Sequence, residues 1–423
     1  MKRADRAQGG CGAVRWSRDP DGIVTVVLDD PTARTNMVTD AHVEGMRAVL
    51  DHLESTRDDV DGVIVTSAKE SFFSGPEFEV AASPRESGSA YSHLVEVRDQ
   101  LRRLEQSGRP VAAALVGGAL GGGFEIALAC HHRVGLDRGD VRWALAERTM
   151  GILPAGGGTV RATRMLGLAT AVRETVGGGA AYDPAWALAR GLIDELAPTP
   201  AAVEAAARRW VVAVGPDGGG QPWERPDWVV PGALPRDPAF DREVAELRGE
   251  LDALADDPTL AARREILEVG LAALSQPLAS AFAAETAAFL RLVSLPSAPA
   301  AAAVFGAMKR IRDRVEKGAD TPAGDARSGA SATFEIRYPN PLVDVFLPTS
   351  PKRVVEVPLP DGATERETAG AVARAASFGV PVLVRPGEGS TLHRVSVGEA
   401  VEVTRFVDAG EATLAAELLA PRG

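Results

Sequence analysis

The sequence predicts an α/β protein with a run of helices attached, and three stretches carry that prediction. Residues 110–116 (PVAAALV) are a short apolar run suited to a buried strand. The glycines at 117, 118, 121, 122 and 123 then let the backbone turn sharply into an apolar helix over 125–130. Residues 14–28 alternate about an Asp21-Gly22 turn and read as a β-hairpin, followed by a helix-spaced segment at 39–55 and a second apolar strand at 60–67. Farther on, residues 242–254, 259–274 and 278–293 are helical in pattern, with Pro277 separating the last two.

Each element has a local reason. Asp29-Asp30-Pro31 ends the hairpin, and Thr39 is placed to cap a helix whose apolar positions are Val43, Met46, Val49, Leu50 and Leu53. An amphipathic helix over 89–105 presents Leu94, Val97, Leu101 and Leu104 to a core. Further helix is expected at 160–166, 170–176 and 201–214, with a strand at 192–196. Residues 215–238 are rich in Gly, Pro and Trp and read as an irregular surface segment. Residues 317–330 form a polar, glycine-containing linker.

With 423 residues the chain is long enough for two or three domains with a substantial core. A net charge of −12 argues against a general nucleic-acid or anionic-membrane surface, because both need a cationic field. Only Cys11 and Cys130 are present, so neither a disulfide framework nor a cysteine-based metal site is indicated. The segment MKRADRAQGGCG has charge but no apolar run after it, so no secretory signal is expected. The most apolar region, 278–308, is interrupted by Glu285, Arg291 and several prolines and is not expected to span a bilayer. A soluble, cytoplasmic protein follows. His93 reads as a surface or core residue, and His131 and His132, which follow a helix end, make only a weak metal hypothesis, so no metal site is expected.

The chemistry concentrates between 109 and 158. A helix that begins on three glycines offers unsatisfied N–H groups and the positive end of its dipole, which suits an oxygen gaining negative charge. A phosphate cradle is the alternative, but the Gly-Lys-Ser/Thr ending of a nucleotide loop is missing and Glu125 would repel a phosphate. Glu125 stands at the start of this helix. Glu147 stands in a second segment, ALAERTMGILPAGGG, where Gly156 to Gly158 again precede an apolar helix. Either glutamate alone would read as a solvated helix-start residue. Two carboxylates in one cleft beside an oxyanion site are what adding water to, or moving a proton next to, a thioester carbonyl requires.

These residues carry a resemblance. Ala119, Gly121, Gly122, Gly123 and Glu125 match G-x-A-x-G-G-G-x-E, and Glu147, Gly151, Pro154, Gly157 and Gly158 match P-E-x-x-x-G-x-x-P-G-x-G-G. The chain thus resembles the enoyl-CoA hydratase/isomerase (crotonase) superfamily, and within it the actinobacterial type of fatty-acid oxidation multifunctional α-subunit. The resemblance implies a crotonase-type ββα spiral core over residues 1–200 and a linker and helical region over 201–316. It further implies a flexible linker at 317–331 and, over 332–423, a small α/β remnant of a dinucleotide-binding 3-hydroxyacyl-CoA dehydrogenase domain.

For the site, the resemblance implies catalytic roles for Glu125 and Glu147, and substrate-binding roles for Gly75, Gly121, Gly123, Pro154 and Gly157. Gly122 is the second donor of an oxyanion hole, and the first donor position falls on Pro76 in SFFSGPEFEV. Proline has no N–H, so one donor is lost unless Gly75 or Glu77 supplies a replacement; such a loss typically reduces rate by about 10² to 10³. Two smaller departures are Ala146 in place of the usual proline before Glu147, and an interval of 22 positions from Glu125 to Glu147, slightly longer than in relatives, with the excess at 136–140.

The activity expected is hydration of a 2-enoyl thioester of CoA or acyl carrier protein, or its reverse, as in a hydro-lyase. Double-bond isomerisation or other enolate chemistry is the alternative enzyme. A non-catalytic acyl-CoA-binding scaffold is the third reading. A homo-oligomer or a thiolase-like partner subunit is the assembly expected. No cofactor is expected beyond the CoA of the substrate. NAD is not expected, since no G-x-G-x-x-G follows the 317–330 linker and Arg337, in RYPNP, holds the position of the dehydrogenase histidine.

Overall fold

The apolar runs pair into one mixed sheet in the computed structural model, which describes residues 7–74, 87–225, 227–255, 257, 259–295, 332–335, 353–358 and 380–384. In chain order the first strands are β1 (Ala7–Cys11), β2 (Val14–Arg18), β3 (Ile23–Leu28), β4 (Gly62–Ser67), β5 (Val111–Leu115), β6 (Ala119–Leu120), β7 (His132–Leu136), β8 (Trp143–Ala144) and β9 (Glu195–Ala197). Seven of them lie in the order β1-β2-β3-β4-β5-β7-β9, and β6 pairs separately with β8. The first three run antiparallel, and from β3 onward every neighbour is parallel. β4 and β5 are buried along their whole length, as parallel strands covered on both faces are, which is why they read as unbroken apolar runs.

β1 was not expected from the sequence. Its residues, Ala-Gln-Gly-Gly-Cys, are mostly exposed and pair with β2 from Ala7↔Arg18 to Cys11↔Val14. A strand held only by its backbone ladder leaves no side-chain alternation to read.

The helices are α1 (Asp40–Ser55), α2 (Ser87–Glu105), α3 (Gly122–Ala129), α4 (Gly158–Leu166), α5 (Leu168–Arg173), α6 (Pro184–Ala189), α7 (Pro200–Val214), α8 (Pro238–Asp252), α9 (Leu260–Ser275) and α10 (Leu278–Val293). Thr39 caps α1, its Oγ1 accepting the His42 N–H at 3.2 Å, and the helix buries the five apolar residues its spacing marks. The helix expected over 170–176 stops at Arg173, and the strand expected over 192–196 lies at Glu195–Ala197, with Leu192 and Ile193 buried in the loop before it. α7 covers β4, β5 and β7.

The later helices close over the same core. α9 packs on α4 and α5, and α10 packs on α4. Gly270 of α9 permits this approach, because a Cβ there would stand 2.7 Å from Leu168 Cδ1. The connecting segment is docked: Gln221 Nε2 donates to the carbonyls of Leu128 and Ala129 at 3.0 and 3.1 Å, and Trp223 is buried. The described residues up to Ala255 and from Thr259 to Leu295 therefore belong to one compact unit. A second unit contains a three-stranded sheet, β10 (Ala332–Glu335), β11 (Arg353–Pro358) and β12 (Val380–Val384), antiparallel at the first pairing and parallel at the second. The 317–331 linker and Arg337 lie outside the described residues. Among the described residues no helix is long and apolar enough to cross a membrane.

Candidate active site

The glycine cluster is built for close approach. A Cβ on Gly117 would collide with the Glu70 carbonyl, and one on Gly123 would come within 2.7 Å of the Phe73 carbonyl carbon. Residues 70–73 run against the turn in that space. The Phe72 N–H donates to Gly118 O at 2.8 Å and the Leu120 N–H to Phe73 O at 3.0 Å. Asn36, which the sequence did not single out, pins the same segment. Its Nδ2 donates to Phe72 O at 3.1 Å and Leu28 O at 3.0 Å, and its backbone carbonyl accepts the Ser74 N–H at 2.9 Å. Gly75 and Pro76, which follow, lie outside the described residues.

α3 begins at Gly122, three residues before the start expected from the sequence, with Gly121 as N-cap at φ 52°. That value lies in the region where L side chains are strained, so the position favours glycine. Phe124 and Glu125 donate back to Gly121 O at 2.8 and 3.0 Å. The amides of Gly122 and Gly123 thus stand ahead of the first closed turn, where a helix has no acceptor of its own and its dipole is positive.

Glu125 and Glu147 are both withdrawn from solvent, at 4% and 8% exposure. Glu125 Oε1 accepts the Gly156 N–H at 2.8 Å and the Gly158 N–H at 2.7 Å, so the second glycine run grips the first glutamate. Burial pushes the Glu125 carboxyl up to about 7, against the pull of the Gly158 amide, the Arg161 guanidinium and the Gly156 amide. Pro154 packs over the same turn, its Cβ at 2.9 Å from where a Gly158 Cβ would be, and Gly157 takes φ 103°. Glu147 opens a short 3-10 helix, Glu147–Met150, which ends on Gly151 at φ 73°. Its Oε1 lies 2.8 Å from where a Gly121 Cβ would stand, so the missing side chain makes room for the carboxyl. Burial, then the charges of Glu125 and Glu285, hold the Glu147 carboxyl well above the usual carboxylate range. Its Oε2 has no hydrogen-bond partner among the described residues.

An ion pair with neither side chain exposed supports this turn. Arg161 donates through Nε and Nη2 to the two oxygens of Glu105 at 3.0 and 3.1 Å, and through Nη1 to Gly156 O at 2.7 Å. His131, weighed above as a metal ligand at a helix end, instead joins backbones. Its Nδ1 accepts from the N–H of Val111 and Gly220, which requires Nε2 to carry the proton donated to Glu105 O at 2.8 Å. Burial pushes its basicity down, in the same direction as that hydrogen-bond pattern. His132 stacks on Trp210 at 4.6 Å between ring centres. Among the described residues no group of three His, Cys, Asp or Glu side chains is placed to hold a metal ion.

Two buried carboxyls with raised proton affinity, beside helix-start amides, can deliver and accept protons at neutral pH around a carbonyl. Residues 18–214 match the enoyl-CoA hydratase/isomerase family. The fatty acid oxidation complex subunit alpha of Aliivibrio fischeri is 27% identical over 318 residues, which is 73% of this chain and 43% of that protein. The chain thus spans less than half the length of that relative. An enoyl-CoA hydratase from Bacillus halodurans superposes with a TM-score of 0.50 at 19% identity, over 69% of this chain and 100% of that one, a likeness of fold. Residues 18–214 thus carry a match to the enoyl-CoA hydratase/isomerase family, on a crotonase-type α/β core.

Proposed function

We propose that the chain is an enoyl thioester hydratase, adding water to a 2-enoyl-CoA or removing it from the 3-hydroxy product. The observation that carries this is the pair Glu125 and Glu147, both withdrawn from solvent beside helix-start amides and both held above the ordinary carboxylate range. One serves as base and the other as acid. Glu125, titrating near 7, is ionised in part at neutral pH and takes the proton from water. Glu147, held well above the usual range, keeps its proton and gives it to the α carbon. The Gly122 amide polarises the thioester carbonyl, with Gly75, Gly121, Gly123, Pro154 and Gly157 shaping the turn around it. The CoA of the substrate is the only cofactor in this scheme. Without a G-x-G-x-x-G loop after 317, and with Arg337 in place of a histidine, residues 332–423 act as a degenerate dehydrogenase remnant that does not use NAD. A homo-oligomer or a thiolase-like partner suits the likeness to an oxidation-complex subunit.

Pro76 favours a second reading. If its loop holds the position relatives use, one oxyanion donor is missing, and isomerisation or other enolate chemistry becomes the better assignment. The experiment is incubation of purified protein with crotonyl-CoA, longer 2-enoyl-CoAs and 3-enoyl-CoAs, followed by mass spectrometry. Gain of 18 Da, the mass of one water (~18), supports the hydratase; rearrangement without mass change supports the isomerase; binding without turnover leaves a scaffold.

A further inference from the structure

Two acids, not one, hold the start of α4. Glu125 takes the amides of Gly156 and Gly158. Glu285, from the middle of α10, takes the next two: its Oε1 accepts the Thr159 N–H at 2.7 Å and the Val160 N–H at 3.3 Å. Glu285 is 0% exposed, and its Oε2 has no hydrogen-bond partner among the described residues. Its buried neighbours on the helix are Thr286 and the apolar Ala281, Phe282, Ala288, Phe289 and Leu292.

A buried carboxyl is an expensive way to cap a helix. A serine or asparagine would satisfy the same amides without placing an acid out of water. The acid is kept where two others already lie, and it sits outside the span 18–214 that matches the family. The charged groups facing it come from four elements. Glu125 is on α3, Glu147 is in the 3-10 turn, and Arg161 on α4 is paired with Glu105 of α2. Arg98 of α2 donates to Oγ1 of the neighbouring Thr286 at 2.9 Å.

We propose that Glu285 is a positioning residue of this site: it ties down the Thr159–Val160 turn so that the Gly156 and Gly158 amides stay aimed at Glu125, and it sets a third buried carboxyl on the same turn, where its charge acts on the other two. The positioning role rests on the acid–base reading of Glu125 and Glu147; the charge coupling does not. Burial, then the Glu125 charge, pushes the Glu285 carboxyl up to about 8, and the Glu285 charge in turn helps keep the proton on Glu147. By holding the proton on Glu147, the Glu285 charge protects the proposed general acid on the alkaline side.

The test is a carboxyl titration by NMR on the full chain labelled with 13C at the glutamate carboxyls, assigned with Glu125→Gln, Glu147→Gln and Glu285→Gln. Glu285→Gln, which keeps an acceptor oxygen for the turn, is expected to lower the Glu147 midpoint, and Glu125→Gln to lower the Glu285 midpoint; Glu285→Leu, which leaves the Thr159 and Val160 amides without that acceptor, is expected in addition to raise the Glu125 midpoint as the Gly156 and Gly158 amides loosen. The alkaline limb of the pH–rate profile should move down with Glu147. A cap of purely structural value would lower the melting temperature of Glu285→Gln and move no midpoint, which overturns the proposal. If Glu285→Gln does not fold, the Glu125→Gln arm decides it, since an unmoved Glu285 there is equally fatal. If no enoyl-CoA turns over in any variant while the midpoints move as stated, the hydratase reading fails and the carboxyl cluster stands.

Discussion

Replacing Arg161 by methionine probes the support of the site without touching either proposed catalytic acid. Arg161 and Glu105 are both 0% exposed at the side chain and meet through two bonds of 3.0 and 3.1 Å. Removing the arginine leaves Glu105 with Arg102, whose bond is 2.6 Å but whose side chain is 23% exposed. Breaking a buried pair from one side typically destabilises by about 3–5 kcal/mol. Arg161→Met also loses the 2.7 Å bond to Gly156 O, which shapes the turn that holds Glu125. The pH dependence should change sense. In the wild type the Glu105 carboxyl is held below its ordinary value: burial alone would raise it, but Arg161 and Arg102 outweigh burial. A depressed acid contributes stability that is present above its unfolded value, near 4.5, and lost as pH falls through the folded one. In Arg161→Met that acid limb should flatten or invert, because protonating Glu105 now relieves a buried charge. Urea unfolding at neutral and mildly acidic pH, with the slope m checked for constancy, measures both effects. A loss below about 1 kcal/mol, the scale of an exposed pair, would refute the assignment of Arg161 as the buried support of the turn.

Glu125→Gln should make folding less pH-dependent. The wild-type carboxyl moves from an ordinary 4.5 to about 7, so the wild type loses roughly 3 kcal/mol as pH rises across that window, at about 1.4 kcal/mol per pH unit. Denaturation of both proteins at pH near 4.5 and 8 checks this, and parallel curves would count against a buried, proton-holding Glu125. Gly123→Ala should destabilise by about 1–3 kcal/mol through overpacking against Phe73 and displace the proposed oxyanion amide of Gly122, where a shift of about 1 Å can cut turnover about 10²-fold; unchanged melting and turnover would show that the turn has slack. Pro76→Ala restores an N–H and should raise turnover of a simple 2-enoyl-CoA by up to about 10²-fold if the donor aligns. An unchanged or lower rate in folded protein would mean that residue 76 is not the first donor.

Much of the core was legible because its signals are local. The apolar runs at 60–67 and 110–116 are parallel strands buried on both faces, and period 3.6 found α1 with Thr39 as its cap. Glu125 and Glu147 were legible as a pair because each sits beside a glycine run whose missing side chains the structure fills with a carboxyl or a carbonyl. What was not legible acts across the chain. Asn36 reaches Phe72 over 36 positions and Arg161 reaches Glu105 over 56, and neither leaves a mark at its own place in the sequence. Glu285 did leave one, a lone acid in an apolar helix, but that signal read only as an interruption of hydrophobicity. The role of His131 was not legible for the same reason: its partners, Val111, Gly220 and Glu105, are distant in sequence, so position at a helix end was all the sequence could offer.

The central claim is that Glu125 and Glu147 act as base and acid in adding water to an enoyl thioester. Its most direct test is the steady-state rate of crotonyl-CoA hydration for the wild type, Glu125→Gln and Glu147→Gln, with thioester binding measured alongside. The account predicts that each substitution lowers kcat by at least roughly 10²-fold while binding stays within a few-fold, as expected for general acid–base groups. Wild-type turnover in either folded variant would contradict it.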